Sequence, residues 1–434
     1  MEKFSLERKQ GIKNNNNHTR YILKTKYLIP LIALVAGSVF LSACGGNDKK
    51  AKKKEAKKVE IAIDTAMQSR LKAFGNARRP KGNFGFYVYD LTADKPIYGV
   101  NERVAQSSAS CMKLLTAVAG MRLLGTRYYY PTSFYTHGKL VGDTLRGDIA
   151  LKAGFDPQFS PADIAKLVKH LRQKGVKHIS GKVYLDLLLK NPVKSEAHWY
   201  PWDLAFSRYG ILYKGANSVK NEMKRALRAE GLNVADSQLI FAPTPKRAHR
   251  IYSFYRCIDL VTQRMFQHSS NTQATALLYT IGYRVNPKAE PTAAGVKYLR
   301  SFLRDTLQLR DKSLVVHDGC GLCTHNQLTP VALTTFLRYA YQHKDMFQLM
   351  ERQLSLSGTN GTLRRQLYQP GLKGKILGKT GTLSHPYGIS SLAGYTRTAD
   401  GHLIAFSIMD TDMSVLDAHV LQEKLCRAIL RVES

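Results

Sequence analysis

The sequence predicts an α+β protein in which one antiparallel sheet, covered by helices, is assembled from the two ends of the folded chain. Residues 84–101 (FGFYVYDLTADKPIYGVN) contain two apolar, aromatic-rich runs around a polar turn, which indicates two antiparallel strands. Near the other end, Asp400-Gly401 separates two apolar runs, a strong hairpin signal. Residues 110–125 form a helix that is apolar nearly all round and should be buried. Strands from both ends and a central helix favour one sheet with helical layers.

A second α+β domain is expected to be inserted after the first helix. We assign 59–125 to the first part of the main domain, 126–250 to the insert and 251–434 to the second part. Inside the insert, SPADIAKLVKHLRQKG indicates a helix, with Ser160 as its N-cap and Pro161 at its first position. The following KHISGKVYLD indicates a strand.

The second part of the main domain returns to strands. GKILGKTGTL at 374–383 precedes the apolar runs SSLAGYTRT and HLIAFSIMD, which flank the hairpin turn. Apolar residues recur at helical spacing in VLDAHVLQEKLCRAILRV, 415–432. The sequence therefore predicts three strands and a closing helix.

The N-terminus carries the marks of export. An apolar run at 27–43 follows two lysines and ends in LSAC, which resembles the lipobox of bacterial lipoproteins. By that resemblance, 1–43 is a lipoprotein signal peptide and Cys44 is the lipidated residue, with an uncleaved anchor helix as the alternative. The Gly- and Lys-rich segment 44–58 predicts a solvated tether. These features predict a protein of the bacterial cell envelope, anchored to a membrane and facing the periplasm.

Composition restricts the partners. The formal net charge of +33 favours anionic partners. However, no aromatic-rich RNA motif, zinc-finger spacing or basic recognition helix is present, so nucleic acid is not expected. The five cysteines beyond Cys44 are irregularly spaced and do not suggest a disulfide framework. Cys320 and Cys323 form a C-x-x-C without a second ligand pair, so we expect packing residues and no metal site.

Three serines in QSSASCMKLL, residues 106–115, raise the question of a nucleophile. A serine hydroxyl needs a base within hydrogen-bond reach, and residues three apart share a helical face. Of the three, only Ser110 has a lysine at that spacing, Lys113. Because Lys113 begins a buried helix, its pKa should be lowered and it becomes a plausible general base.

Two further short motifs follow in order. Ser269-Ser-Asn271 precedes an apolar helical run, and Lys379-Thr-Gly-Thr382 lies on an expected strand. S-x-x-K, S-x-N and K-T-G in this order form the signature of penicillin-binding proteins and class A β-lactamases. Each motif is weak alone, but together they favour an active-serine enzyme.

The chain resembles the D-alanyl-D-alanine carboxypeptidase/endopeptidase branch of the low-molecular-mass penicillin-binding proteins, class C. Beyond the motifs, the resemblance is carried by GDIALKAGFDP (147–157), HDGCGLCTHNQLTP (317–330) and GTNGTLRRQL (358–367). It extends from about residue 60 to the end. It implies a transpeptidase-like fold of the penicillin-binding and β-lactamase type, acting on peptidoglycan stem peptides and acylated by β-lactams. The insert is shorter than expected for this branch, so an accessory domain could be reduced or missing.

The resemblance assigns roles to the motif residues. Ser110 would attack the D-alanyl peptide and Lys113 would take its proton. Ser269 would relay a proton toward the leaving amine, and Asn271 would orient Lys113 and the substrate amide. No cofactor is needed for this chemistry.

The K-T-G strand would bind the substrate. Lys379 would supply fixed positive charge, and the hydroxyls of Thr380 and Thr382 would bind the terminal carboxylate. Gly381 would let substrate approach the strand edge. The family also implies an oxyanion hole made by the backbone N–H groups of Ser110 and Thr382.

Two alternatives remain open. A β-lactamase would need a deacylating glutamate between S-x-N and K-T-G, whereas the nearest similar stretch, Glu230-Gly-Leu-Asn233, precedes Ser269. A catalytically inactive peptidoglycan-binding lipoprotein would keep the basic surface without needing Ser110. The sequence does not decide between carboxypeptidase and endopeptidase preference.

Overall fold

The computed structural model describes residues 61–79, 81–196, 198–200, 202–206, 209–384 and 388–433. The expected leader 1–43, the lipidation residue Cys44 and the tether 44–58 lie outside these residues. In the part of the chain that is described, no helix is both long enough and apolar enough to cross a membrane.

The strands form two sheets. Their bounds are β1 Asn83–Asp90, β2 Lys95–Val100, β3 Tyr129–Val141, β4 Thr144–Ala153, β5 His178–Ile179, β6 Val183–Leu187, β7 Leu239–Ile240, β8 His249–Cys257, β9 Ser355–Leu356, β10 Ile376–Leu383, β11 Ile389–Arg397 and β12 Leu403–Thr411. The main sheet has the order β2-β1-β12-β11-β10-β9, and its pairs are antiparallel. Strands from both ends of the chain therefore meet in one sheet, as the sequence predicts.

Helices pack against both sheets. Their bounds are α1 Thr65–Asn76, α2 Met112–Leu124, α3 Pro161–Gln173, α4 Asp203–Phe206, α5 Ala216–Ala229, α6 Ile258–Gln267, α7 Asn271–Val285, α8 Pro291–Ser301, α9 Pro330–Tyr341, α10 Lys344–Gln353 and α11 Val415–Leu430. Helices α1 and α11 pack together over one part of the sheet core, while α9 packs on β1, β11 and β12. Helix α2 packs against α7 and α9, and ten consecutive residues from Met112 are buried. This burial explains why its sequence is apolar on every side.

The second sheet lies in the inserted region. It has the order β7-β6-β4-β3-β8, with β5 also pairing with β4. Helices α3 and α5 pack against each other beside it, and α3 starts with the predicted Ser160 cap, closed reciprocally by Asp163. The expected strand at 177–186 is interrupted and forms β5 and β6 instead. Strand β8 crosses the expected domain boundary at 250 and leads directly into α6.

Candidate active site

Ser110 stands in a tight turn at the start of the buried helix. The chain forms a 3₁₀ turn over Ala109–Cys111 before α2 begins at Met112, so the helix starts slightly later than its sequence suggests. Lys113 is fully buried, and its Nζ donates to the Ser110 Oγ at 2.8 Å. The spacing of three residues therefore produces the serine–lysine contact that the sequence suggested.

The neighbouring serines are placed differently. Ser107 and Ser108 are buried, whereas Ser110 is partly accessible. The Ser107 hydroxyl has no hydrogen-bond partner among the described residues, and the backbone carbonyl of Ser108 accepts from the Ser391 Oγ at 2.7 Å. Of the three hydroxyls, the one at 110 meets Lys113.

The turn that presents Ser110 is backed by two other segments. Ala109 has φ +43°, a conformation that costs a non-glycine residue free energy and needs support from its surroundings. The Cys111 thiol lies 3.1 Å from the Lys379 carbonyl, which ties the turn to β10. On the opposite side, a Cβ on Gly321 would lie 1.9 Å from the Ala109 carbonyl oxygen, so glycine is required there.

The S-x-N motif supplies the second wall. Ser269 has φ +51°, and Ser270 caps α7, which begins at Asn271. The Asn271 Oδ1 accepts from the Lys113 Nζ at 2.8 Å. The Lys379 Nζ donates to the Ser269 Oγ, also at 2.8 Å. The structure thus brings together two serine–lysine pairs, and Asn271 contacts the first.

Burial controls the charge of both lysines. Burial lowers the pKa of Lys113, although the nearby Asp318 carboxylate opposes the effect. Burial and the charge of Lys113 lower the pKa of Lys379 to about 7. Each ammonium is therefore easier to deprotonate than an exposed lysine. Lys379 is therefore only partly charged at neutral pH in the free enzyme, and an approaching carboxylate would raise its pKa and favour the charged form.

Gly381 of the K-T-G strand packs closely against its neighbours. A Cβ there would lie 2.5 Å from the Ser108 carbonyl oxygen and 2.3 Å from the Ser391 Oγ. The close approach is therefore to the nucleophile turn, in addition to any role in admitting substrate. Thr380 is buried and donates to the Thr362 Oγ1 at 2.8 Å, while Thr382 is exposed.

The two cysteines of the C-x-x-C lie in the loop behind Lys113. Both are buried free thiols, and the carbonyl oxygen of Cys320 accepts from the Lys113 Nζ at 2.5 Å. Burial raises the pKa of the Cys320 thiol and raises that of Cys323 to about 11. Both remain protonated at neutral pH, which disfavours nucleophilic or metal-binding roles. In the described ranges, no cluster of three His, Cys, Asp or Glu side chains could hold a metal ion.

A groove opens beside the Ser269–Asn271 turn. Its volume is about 950 Å³, and it is bounded by inserted residues 157–161 and 209–211 on one side and by α6 on the other. Exposed Lys214, Arg264 and His268 line it. The groove is large enough for a peptide, and its lining is mostly polar and uncharged, with these three basic side chains and one acidic one, Glu222.

Several groups at the site carry no strong local signal in the sequence. Thr362 and Asp318 lie in stretches noted only for their resemblance. Ser391 is one serine of an apolar strand, and its contact with the nucleophile turn follows from strand pairing across the sheet. Trp199 donates its indole N–H to Asp318 at 2.9 Å, across 119 positions of sequence. No local pattern indicates this contact.

A serine whose proton can pass to a buried lysine, beside a second serine–lysine pair, is the arrangement of an active-serine peptidase of the penicillin-binding type. The family model for the D-Ala-D-Ala carboxypeptidase 3 (S13) family matches residues 69–209 and 212–428. The chain belongs to that family and is a serine-type D-Ala-D-Ala carboxypeptidase. Because its substrate class is peptidoglycan, the enzyme acts in the bacterial cell envelope.

Known relatives agree with this assignment. The D-alanyl-D-alanine carboxypeptidase DacB of Haemophilus influenzae is 21% identical over 412 residues, covering 75% of this chain and 85% of DacB. The crystal structure of penicillin binding protein 4 (dacB) from the same organism matches with a TM-score of 0.67 at 20% identity, covering 82% of this chain and 97% of that one. Bd3459, a predatory peptidoglycan endopeptidase from Bdellovibrio bacteriovorus, matches with a TM-score of 0.56 at 14% identity, covering 79% and 92%. These structures share the α+β fold.

Proposed function

We propose that Ser110 is the residue acylated by peptidoglycan stem peptides and by penicillins, with Lys113 as its general base. The observation that carries this proposal is the 2.8 Å contact between the Ser110 Oγ and a fully buried lysine nitrogen. A buried amine with a lowered pKa is more readily neutral, and only a neutral amine can accept the serine proton.

The reaction then proceeds through an acyl-enzyme. The Ser110 Oγ attacks the carbonyl carbon of the D-Ala-D-Ala bond while its proton passes to Lys113. The tetrahedral intermediate collapses, the C–N bond breaks, and the leaving amine receives a proton by way of Ser269. Water hydrolyses the resulting ester, which frees Ser110 and releases the shortened stem peptide. The backbone N–H groups of Ser110 and Thr382 serve the oxyanion.

Substrate recognition is assigned to the other motif residues. Asn271 orients Lys113 and the substrate amide, which agrees with its contact to the Lys113 Nζ. Lys379, Thr380 and Thr382 receive the terminal carboxylate, because a carboxylate that loses its hydration needs donors or a cation. For Thr380 this requires its hydroxyl to turn away from the Thr362 Oγ1, to which it donates in the free enzyme. Gly381 keeps the strand close to the nucleophile turn.

Labelling with fluorescent penicillin tests the nucleophile. Ser110→Ala should abolish labelling, and peptide mapping of the labelled wild-type protein should find the adduct on Ser110. Ser107→Ala is a matched control, since it removes a neighbouring hydroxyl that does not contact Lys113. Labelling that persists in Ser110→Ala would reject the assignment. Rapid turnover of the penicillin adduct would favour a β-lactamase, and no turnover of a D-Ala-D-Ala peptide would favour a binding lipoprotein.

A second activity, cleavage of cross-links, is supported by the groove beside Ser269. Its volume of about 950 Å³ exceeds what a terminal dipeptide requires, and its basic side chains suit the carboxylates of a stem peptide. A related fold, Bd3459, is described as a peptidoglycan endopeptidase. Digestion of purified cross-linked muropeptides, followed by mass analysis, should yield monomers. Release of D-alanine alone would restrict the enzyme to carboxypeptidase activity.

The domain organisation and the anchor complete the proposal. We assign 1–43 to a lipoprotein signal peptide, 44–58 to a tether and 126–250 to an accessory domain inserted between the two parts of the catalytic domain. Cys44 carries the lipid, which anchors the enzyme to a membrane so that it faces the periplasm. Cys44→Ala should prevent lipidation and signal processing. Unchanged electrophoretic size and acyl labelling in that variant would contradict the anchor.

A further inference from the structure

The Asp318 carboxylate organises the loop behind Lys113. It is completely buried. Its oxygens accept hydrogen bonds from the backbone N–H groups of Cys320, Gly321 and Cys323 at 3.1, 2.6 and 2.8 Å, from the Asn326 Nδ2 at 3.0 Å and from the Trp199 Nε1 at 2.9 Å. A buried carboxylate needs such donors, and each removed donor leaves part of its desolvation uncompensated.

This loop touches the catalytic pair at two places. The Cys320 carbonyl accepts from the Lys113 Nζ, and Gly321 lies directly against the Ala109 carbonyl. The loop is also joined to α2, because the Thr116 Oγ1 donates to the Gly319 carbonyl at 2.7 Å. The position of the loop therefore determines how tightly Lys113 is enclosed.

Trp199 differs from the other donors in its origin. The backbone donors and Asn326 belong to the loop itself or follow it closely, whereas Trp199 belongs to the inserted region, 119 positions earlier. Its side chain is 8% exposed, so the indole both fills space and shields the carboxylate from water. The inserted region thus holds the catalytic loop through one directed hydrogen bond.

We propose that Trp199 is a positioning residue for acylation: by donating to Asp318 it holds the Cys320 carbonyl against Lys113 and keeps Lys113 enclosed in the state that accepts the Ser110 proton. This inference rests on the proposed roles of Ser110 and Lys113. It gives the inserted region a part in the chemistry, in addition to any part in binding peptidoglycan.

The consequence is a change in pH dependence. The charged and titratable groups that act on Lys113 are Asp318, Lys379 and the thiols of Cys111 and Cys320, while burial has the largest effect on its pKa. Loosening the loop admits water, and an Asp318 carboxylate without the indole donor attracts the ammonium more strongly. Both effects raise the pKa of Lys113, so acylation requires a higher pH.

The experiment compares Trp199→Phe with Trp202→Phe in the full chain. Phenylalanine keeps one aromatic ring and removes the N–H donor together with the five-membered ring of the indole. Trp202 is exposed and stacks on Tyr200, so Trp202→Phe makes the same chemical change away from the catalytic loop and serves as the control. Rates of acylation by fluorescent penicillin are measured from about pH 6 to about pH 10. Trp199→Phe should be slower by roughly tenfold at neutral pH and should recover at alkaline pH, because one hydrogen bond to a charged group is lost. Trp202→Phe should follow the wild type.

Dividing each rate by its alkaline plateau removes any difference in folded fraction. A Trp199→Phe profile that coincides with the wild type, or one that is lower by the same factor at every pH, would overturn the inference. Failure of the wild type to be acylated, or acylation of Ser110→Ala, would instead reject the proposed nucleophile and this inference with it.

Discussion

Adding one methyl group to the K-T-G strand, in Gly381→Ala, should impair both folding and acylation. The new Cβ would lie 2.5 Å from the Ser108 carbonyl oxygen and 3.0 Å from the Ser110 nitrogen. Ordinary contact begins at 3.4 Å, so the strand and the turn must separate by 0.9 Å at Ser108 (3.4 − 2.5). Overpacking of this kind typically costs about 1–3 kcal/mol of stability. A misplacement near 1 Å also costs catalysis on the order of a hundredfold.

The Ser391 hydroxyl does not relieve this crowding. It would lie 2.3 Å from the new Cβ, and rotating it away sacrifices its hydrogen bond to the Ser108 carbonyl. The double variant Gly381→Ala with Ser391→Ala should therefore regain only part of the loss, because the backbone oxygen of Ser108 remains in the way.

The assay combines thermal unfolding with the second-order rate of penicillin acylation. Gly154→Ala is the matched control, since its added Cβ would meet its nearest neighbour at an ordinary 3.6 Å. If Gly381 served only to admit substrate, the variant would unfold at the wild-type temperature and lose binding alone. Acylation within about threefold of wild type, with an unchanged unfolding midpoint, would refute the packing argument.

Three further predictions concern the same sheet and loop. Replacing both Cys320 and Cys323 by serine should leave the rate of penicillin acylation within a few fold of the wild type, since neither thiol is ionised. A hundredfold loss in a folded variant would contradict their role as packing residues. Thr382→Val should lower kcat/KM on a D-Ala-D-Ala peptide by about tenfold to a hundredfold through one lost donor, but much less on the amidated peptide; equal losses would exclude carboxylate recognition. Burial raises the pKa of Asp410 to about 7, so its contribution to stability is lost as pH rises from about 4 to about 7. Asp410→Asn should therefore raise the unfolding temperature more at pH 8 than at pH 5, and an equal gain at both values would reject that pKa.

The structural features that the sequence predicted depend mostly on residues that are close together in the chain. Ser110 and Lys113 are three residues apart on one face, so local geometry alone brings them together. The capped helix after Ser160 and the hairpin at Asp400-Gly401 are likewise local. Sequence order and motif context sufficed to select Ser269 and Lys379, although their contact spans 110 positions.

Long-range packing accounts for what the sequence did not predict. The bond from Trp199 to Asp318 depends on how the inserted region folds back onto the catalytic loop, which no local pattern encodes. The crowding at Gly381 depends on the distance between a strand and a turn more than 250 positions earlier. Strand β8 has mostly half-buried residues without alternation, so its passage beyond the expected boundary at 250 left no periodic signal.

The pairing of β1 with β12 has a consequence for biosynthesis. Asn83 pairs with Thr411 and Asp90 with Ile404, so one edge of β1 lacks its partner until some 320 further residues have been made. At typical synthesis rates this interval is roughly 15 to 60 s. Such distant pairing slows folding and leaves an apolar strand open to wrong partners meanwhile. The nascent chain should therefore depend on holding factors during synthesis, and the enzyme should become competent for acylation only after its last strands have been made.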